Sequence, residues 1–252
     1  MTTASDGPTG RPSPRVEVHV DAADLATAAA GELIARLELA QSRGEVPHIG
    51  LTGGSIADAV HAELARMGPS SEVDWGRVVL WWGDERFVPA DSPDRNAGQA
   101  MAAFADRLPF DPAKVHPMPS TDDAGSVDDA AAAYAALVRS EGVGFFEVLM
   151  LGMGPDGHIA SLFPGSSQLD ATDAIAVGVT DSPKPPPERV TLTYEAMGRC
   201  RAVWFLVSGE GKSGAVARAL TPGTDLHDIP AVGVTGELET IWFLDRASAS
   251  AL

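Results

Sequence analysis

The chain has 252 residues, 44% of them hydrophobic and 21% charged, which excludes a disordered protein and leaves ample material for a core. Eighteen Lys+Arg against 35 Asp+Glu give a formal net charge of −17, which argues against nucleic acid and anionic membranes as partners. A small anionic ligand remains open if its cations are local, and the lysines number only three, Lys114, Lys184 and Lys212.

Residues 1–14 are rich in Gly, Pro, Ser and Thr and carry no apolar core, so they read as a disordered tail rather than a signal peptide. Residues 15–252 read as a single domain. The strand Arg15–Val20 is followed by a helix over Ala22–Arg43, where Leu25, Leu33 and Leu37 recur at helical spacing. A second strand, Val46–Leu51, runs into Thr52-Gly53-Gly54-Ser55 and a helix over Ile56–Met67. A third, Arg77–Trp82, leads into the loop Gly83–Pro93 and a helix around Asn96–Leu108. A helix over Ser126–Ser140 precedes a buried strand, Phe145–Leu151. Further strands are expected at Ala174–Val179, Arg189–Thr193, Ala202–Val207 and Thr240–Leu244, with a helix over Gly209–Leu220 between the last two. The Pro-rich Ser182–Pro187 reads as a surface loop. Strands alternating with helices predict an α/β fold, a doubly wound and mostly parallel sheet flanked by helices. Such Rossmann-like sheets place ligands beyond the carboxyl ends of their strands. No apolar stretch approaches the roughly 18 residues that a membrane helix needs, so the expected location is cytoplasmic.

Four loops follow strands. In the first, Gly53, Gly54 and Ser55 could bring backbone amides and a helix N-terminus to an anion such as phosphate. The bland reading is a glycine turn with Ser55 as helix N-cap. A nucleophile elbow would need a glycine where Ala57 stands. In the second, Asp84, Glu85 and Arg86 form either a self-contained ion knot or an anion clamp built on the Arg86 guanidinium. The third, Gly152–Gly165, contains Gly-x-Gly-x-x-Gly, but Pro164 and Gly165 leave no room for the helix that a dinucleotide requires. What remains is His158 in a glycine-rich turn, two residues after Asp156. The scattered histidines show no metal-ligand spacing, so neither metal nor cofactor is expected. The fourth, Ser208–Ser213, lacks the first glycine of a phosphate-binding P-loop, Leu206 standing there, yet Lys212 could reach an anion from its helix. Cys200 cannot form an internal disulfide and reads as a buried small residue.

Taken together, these loops resemble the 6-phosphogluconolactonase family over nearly the whole chain after the tail. The matching stretches are Leu51–Ser55, Trp82–Pro89 with Asn96, Leu151–Gly165, Arg189–Thr193 and Ser208–Lys212. The resemblance implies a phosphosugar isomerase/deaminase-like fold and hydrolysis of 6-phosphoglucono-1,5-lactone to 6-phosphogluconate, the second step of the oxidative pentose phosphate pathway. It implies His158 as the base that activates water and Asp156 as its orienting partner. Substrate and phosphate would be held by Gly53, Gly54, Ser55, Asp84, Arg86, Asn96, Arg189 and Lys212. The expected partner is a small phosphosugar lactone, and the expected state a monomer or weak homo-oligomer. The related glucosamine-6-phosphate deaminases carry a glutamate after the corresponding histidine, whereas Ser161-Leu162-Phe163-Pro164 supplies no acid. Three other readings are an aminosugar-phosphate deaminase, a sugar-phosphate-binding regulator, and a serine esterase using Ser55 with Asp84 and His158.

Overall fold

The structure, a computed structural model, describes residues 10–104, 107–141, 144 and 146–252. Residues 1–9 of the expected tail and Phe145 lie outside the described residues. Arg11 donates hydrogen bonds to Thr235 Oγ1 (3.0 Å) and the Gly198 carbonyl (3.2 Å).

Nine strands and six α-helices are described: β1 (Arg15–His19), α1 (Ala22–Ser42), β2 (His48–Leu51), α2 (Ser55–Met67), β3 (Val79–Trp82), β4 (Asp84–Arg86), α3 (Asn96–Phe104), α4 (Val127–Ser140), β5 (Phe146–Gly152), β6 (Ala176–Val179), β7 (Arg189–Leu192), α5 (Tyr194–Met197), β8 (Cys200–Val207), α6 (Ser213–Ala219) and β9 (Glu239–Asp245). Six strands form one sheet in the order β1-β9-β8-β5-β2-β3, every neighbouring pair parallel. Both faces of this sheet are covered, which is why its strands read as nearly unbroken apolar runs. In β8, Ala202, Trp204 and Leu206 pack with α1, α2 and α3, while Val203, Phe205 and Val207 face the core beside α4 and α6. The α1 helix is started by Asp21, whose carboxylate accepts from the Ala23 and Asp24 amides. Among the described residues no helix is long and apolar enough to cross a membrane.

The expected doubly wound, mostly parallel architecture is therefore present, with one addition. Asp84–Arg86 is a strand rather than part of a loop, and it pairs antiparallel with β7, which pairs with β6. The chain leaves β3 at Gly83, whose amide still bonds Leu51 while its carbonyl accepts from Leu192. It thus crosses from one sheet to the other in a single residue. The short α5 was also not expected, and α6 begins at Ser213, after a 3-10 turn over Glu210–Lys212.

Candidate active site

The loops following β2, β3, β5 and β8, with the β6–β7 connection, enclose a cleft of about 330 Å³ at the carboxyl ends of the parallel strands. Gly53, Gly54, Ser55, Asp84, Arg86, Asn96, His158, Arg189 and Lys212 all line it, and Asp156 stands behind His158. Lys184, absent from the expected set, lines it too.

The first wall is the start of α2. Gly54 is the N-cap and Ser55 the first helical residue, so no side chain caps the opening turn, contrary to the capping reading of Ser55. The free amides of that turn are left for an anion. The turn is packed so tightly that a Cβ on Gly53 would lie 1.9 Å from Asn96 Oδ1.

Asp84, Glu85 and Arg86 do not form an ion knot among themselves. Glu85 is buried, and its carboxylate accepts from the Arg86, Asn96 and Ala97 amides, each at 2.8 Å. Burial raises its pKa, and those amides with the Arg95 charge oppose the rise. Glu85 therefore ties β4 to the start of α3 and sets Arg86 beside Asn96. Asp84 accepts from Ser161 Oγ (2.6 Å), and its carbonyl from Asn96 Nδ2 (3.0 Å). Arg86 donates to the Asp94 carbonyl, and its Nε has no partner among the described residues.

The third wall carries the histidine. His158 Nδ1 sits 2.5 Å from Asp156 Oδ1, and Phe163 packs against the imidazole with ring centroids 4.7 Å apart. Partial burial works against the charge on Asp156, but the His158 hydrogen bond and the charges of His158 and Lys184 hold its carboxyl down at about 2. With Nδ1 directed at the carboxylate, Nε2 is the nitrogen left for chemistry. Gly154 makes this fit possible, since a Cβ there would lie 2.0 Å from His158 Cε1. Ala160, at the cleft wall, is held at a left-handed φ of 48°. Only a 3-10 turn over Ser167–Asp170, and no α-helix, lies between the three glycines and β6, consistent with rejecting a dinucleotide site. A serine relay is not assembled either, because His158 pairs with Asp156 while Asp84 is engaged by Ser161.

Lys212 closes the cleft from the β8–α6 turn. Burial, then the Lys184 charge, lower its pKa, and Asp245 pulls the other way. Asp245 itself accepts from Ser208 Oγ (2.6 Å) and the Gly209 and Ser248 amides, which fixes the turn. Arg189 is buried and donates to the carbonyls of Lys184, Pro185 and Pro186 at 3.0–3.1 Å, so most of its fork shapes the β6–β7 connection. Lys184 Nζ lies 3.2 Å from His158 Nδ1 and 3.9 Å from Asp156 Oδ1. Sequence reading missed Lys184 because it sits in a Pro-rich stretch that looks like bare surface. Glu85 and Asp245 were missed as supports because their partners are mostly backbone amides, which carry no signal in the sequence. Among the described residues no group of three or more His, Cys, Asp or Glu is placed to hold a metal ion.

The chain is similar to known proteins in sequence and in fold. The family model of glucosamine-6-phosphate isomerases/6-phosphogluconolactonase matches residues 20–242. The chain is 42% identical over 249 residues to a 6-phosphogluconolactonase of Streptomyces coelicolor, covering 95% of each chain. It superposes on the 6-phosphogluconolactonase of Thermotoga maritima with a TM-score of 0.80 and 26% identity, covering 92% of this chain and 100% of that one. A monomeric glucosamine-6-phosphate deaminase gives a TM-score of 0.80 at 20% identity over 94% of this chain and 100% of that one, a likeness of fold alone.

Proposed function

The chain belongs to the glucosamine-6-phosphate isomerase/6-phosphogluconolactonase family, and on that premise we infer that it hydrolyses 6-phosphoglucono-1,5-lactone to 6-phosphogluconate. The observation that carries this reading is one cleft holding both a carboxylate-oriented histidine and an uncapped helix start flanked by Arg86. The positions after the histidine favour the lactonase over the deaminase. Ser161 is spent on Asp84, Leu162 is in the core and Phe163 packs on the imidazole, so no acid is at hand for the extra proton transfers of an aminosugar.

The phosphate rests on the amides of Gly53–Ser55, with Arg86 and Lys212 supplying charge. Asp84 and Asn96 complete the polar wall beside the sugar. Binding at the phosphate, remote from C1, orients the lactone. Nε2 of His158 takes a proton from water as its oxygen attacks C1. The tetrahedral intermediate collapses by breaking the bond to the ring oxygen, and His158 returns the proton to that oxygen. Asp156 holds the imidazole in the tautomer this requires.

The test is hydrolysis of freshly generated 6-phosphogluconolactone, set beside the unphosphorylated lactone and a chelator control. Fast turnover of the phosphorylated lactone alone, indifferent to chelator, is the expected result. A rate no higher than the spontaneous one would remove the reading.

A further inference from the structure

The mechanism above leaves one cation of the cleft without a task. Lys184 Nζ stands 3.2 Å from His158 Nδ1, yet that nitrogen is also 2.5 Å from Asp156 Oδ1. One Nδ1 cannot serve both neighbours. If it donates to Asp156, it offers no lone pair to an ammonium, so the imidazole is not what satisfies Lys184. Asp156, at 3.9 Å from Nζ, is too distant for a hydrogen bond. The ammonium thus keeps its donors while standing beside the group that activates water.

Lys184 shares the cleft with Arg86 and Lys212, and within it the ammonium stands against the histidine. Its loop is no free tether, because the buried Arg189 guanidinium grips three successive carbonyls, those of Lys184, Pro185 and Pro186. A buried arginine devoted to the backbone of a hairpin connection is explained if the placement of the next-door side chain matters.

The geometry points to Lys184 as the catalytic cation that stabilises the oxyanion formed at C1, with Arg189 as the residue that positions it. This rests on the reading of His158 as the base. When water adds to C1, the carbonyl electron pair moves onto its oxygen, and on this assignment Nζ is the donor that meets the negative charge there. The same pair re-forms the carbonyl as the C1–ring oxygen bond breaks. A fixed donor aimed at charge that exists only in the intermediate acts on kcat rather than on substrate binding.

Four variants test this: Lys184→Met, Arg189→Lys, Arg86→Met and His158→Asn. Each is measured for kcat, KM, inhibition by inorganic phosphate and thermal midpoint. Lys184→Met is expected to lose about 100- to 1000-fold in kcat, the usual cost of one oxyanion donor. Its KM, phosphate inhibition and thermal midpoint stay near those of the parent. Arg189→Lys shifts kcat in the same direction by less, again with phosphate inhibition unchanged, whereas Arg86→Met weakens phosphate. Retained kcat in Lys184→Met overturns the assignment. So does a loss confined to KM with weaker phosphate inhibition, which would make Lys184 a phosphate ligand. If His158→Asn keeps its turnover, it is the base itself that fails, a result distinct from either.

Discussion

Along the amino-terminal rim of the parallel sheet, Arg36 bridges Glu147 (2.9 Å) and Glu239 (2.5 Å), and Arg201 bridges Glu45 (2.7 Å) and Glu147 (2.9 Å). Along the carboxyl-terminal rim, Glu85 lies 3.9 Å from Arg95 and Asp156 3.9 Å from Lys184, but no carboxylate among the described residues lies within ion-pair distance of Arg86, Arg189 or Lys212. Acids are present there, but they are turned to other work. Glu85 serves three amides, Asp84 a serine hydroxyl, and Asp245 a serine hydroxyl and two amides. The same residue types are neutralised at one end and held apart at the other. A chain with a net charge of −17 thereby keeps a local cationic cleft, and bulk charge says little about a ligand site. The matched rim stabilises the sheet, while the unmatched rim leaves its cations for a substrate.

Substitutions that act on one rim should leave the other untouched. The largest effect is expected from His158→Asn, which removes the base and should lower kcat by about 100- to 10,000-fold. Its urea midpoint should move only slightly, because the imidazole lies at the cleft wall and its partner Asp156 is partly exposed. At the opposite rim, Glu147→Gln strips a buried carboxylate from two arginines. We expect a loss of about 3 kcal/mol, the low end for breaking a buried pair, since each arginine keeps a second carboxylate. Urea denaturation reads this loss, and KM for the lactone should stay unchanged; a shift in KM would mean that the rims are coupled. Arg86→Met comes next. Charge-assisted bonds contribute about 1.5–3 kcal/mol and each 1.4 kcal/mol is tenfold, so kcat/KM should fall about 10- to 100-fold. That fall should vanish when the unphosphorylated lactone is the substrate.

Much of this division was legible in the sequence, for reasons tied to particular residues. Strands buried on both faces must be largely apolar, so the expected strands Phe145–Leu151 and Ala202–Val207 announced themselves. Loops after such strands are where open sheets bind ligands, which brought Gly53, Arg86, His158 and Lys212 into view together. β4 was hidden because a strand spelled Asp84-Glu85-Arg86 carries no apolar signal. Its acids are buried by hydrogen bonds to groups far along the chain, among them Asn96, Ala97 and Ser161. Lys184 was hidden because its place in the cleft depends on Arg189 gripping the carbonyls of a Pro-rich segment, a tertiary contact without a composition signature. The ion pairs of the other rim were equally unreadable, since Arg36, Glu147, Arg201 and Glu239 converge only when the strands are in order.

The smallest effect concerns Asp156, the acid paired with the histidine of the cleft. Asp156 titrates at about 2 in the folded chain against an ordinary value of 3.8, held down by His158 and Lys184 in spite of partial burial. A carboxyl whose pKa is depressed by folding contributes stability that is complete above its unfolded value and fades as pH falls toward its folded one. The Asp156 contribution should therefore be intact above about pH 4 and lost between about 4 and 2. Because the side chain is 37% exposed, solvent screens the pair and the contribution is slight. Comparing thermal midpoints of the parent and Asp156→Asn across that range should show a small gap that closes as the pH drops. A gap that persists at pH 2 would mean that Asp156 supports the turn through its shape rather than its charge. The same variant at neutral pH should lose turnover while retaining phosphate inhibition, which keeps orienting the histidine separate from holding the substrate.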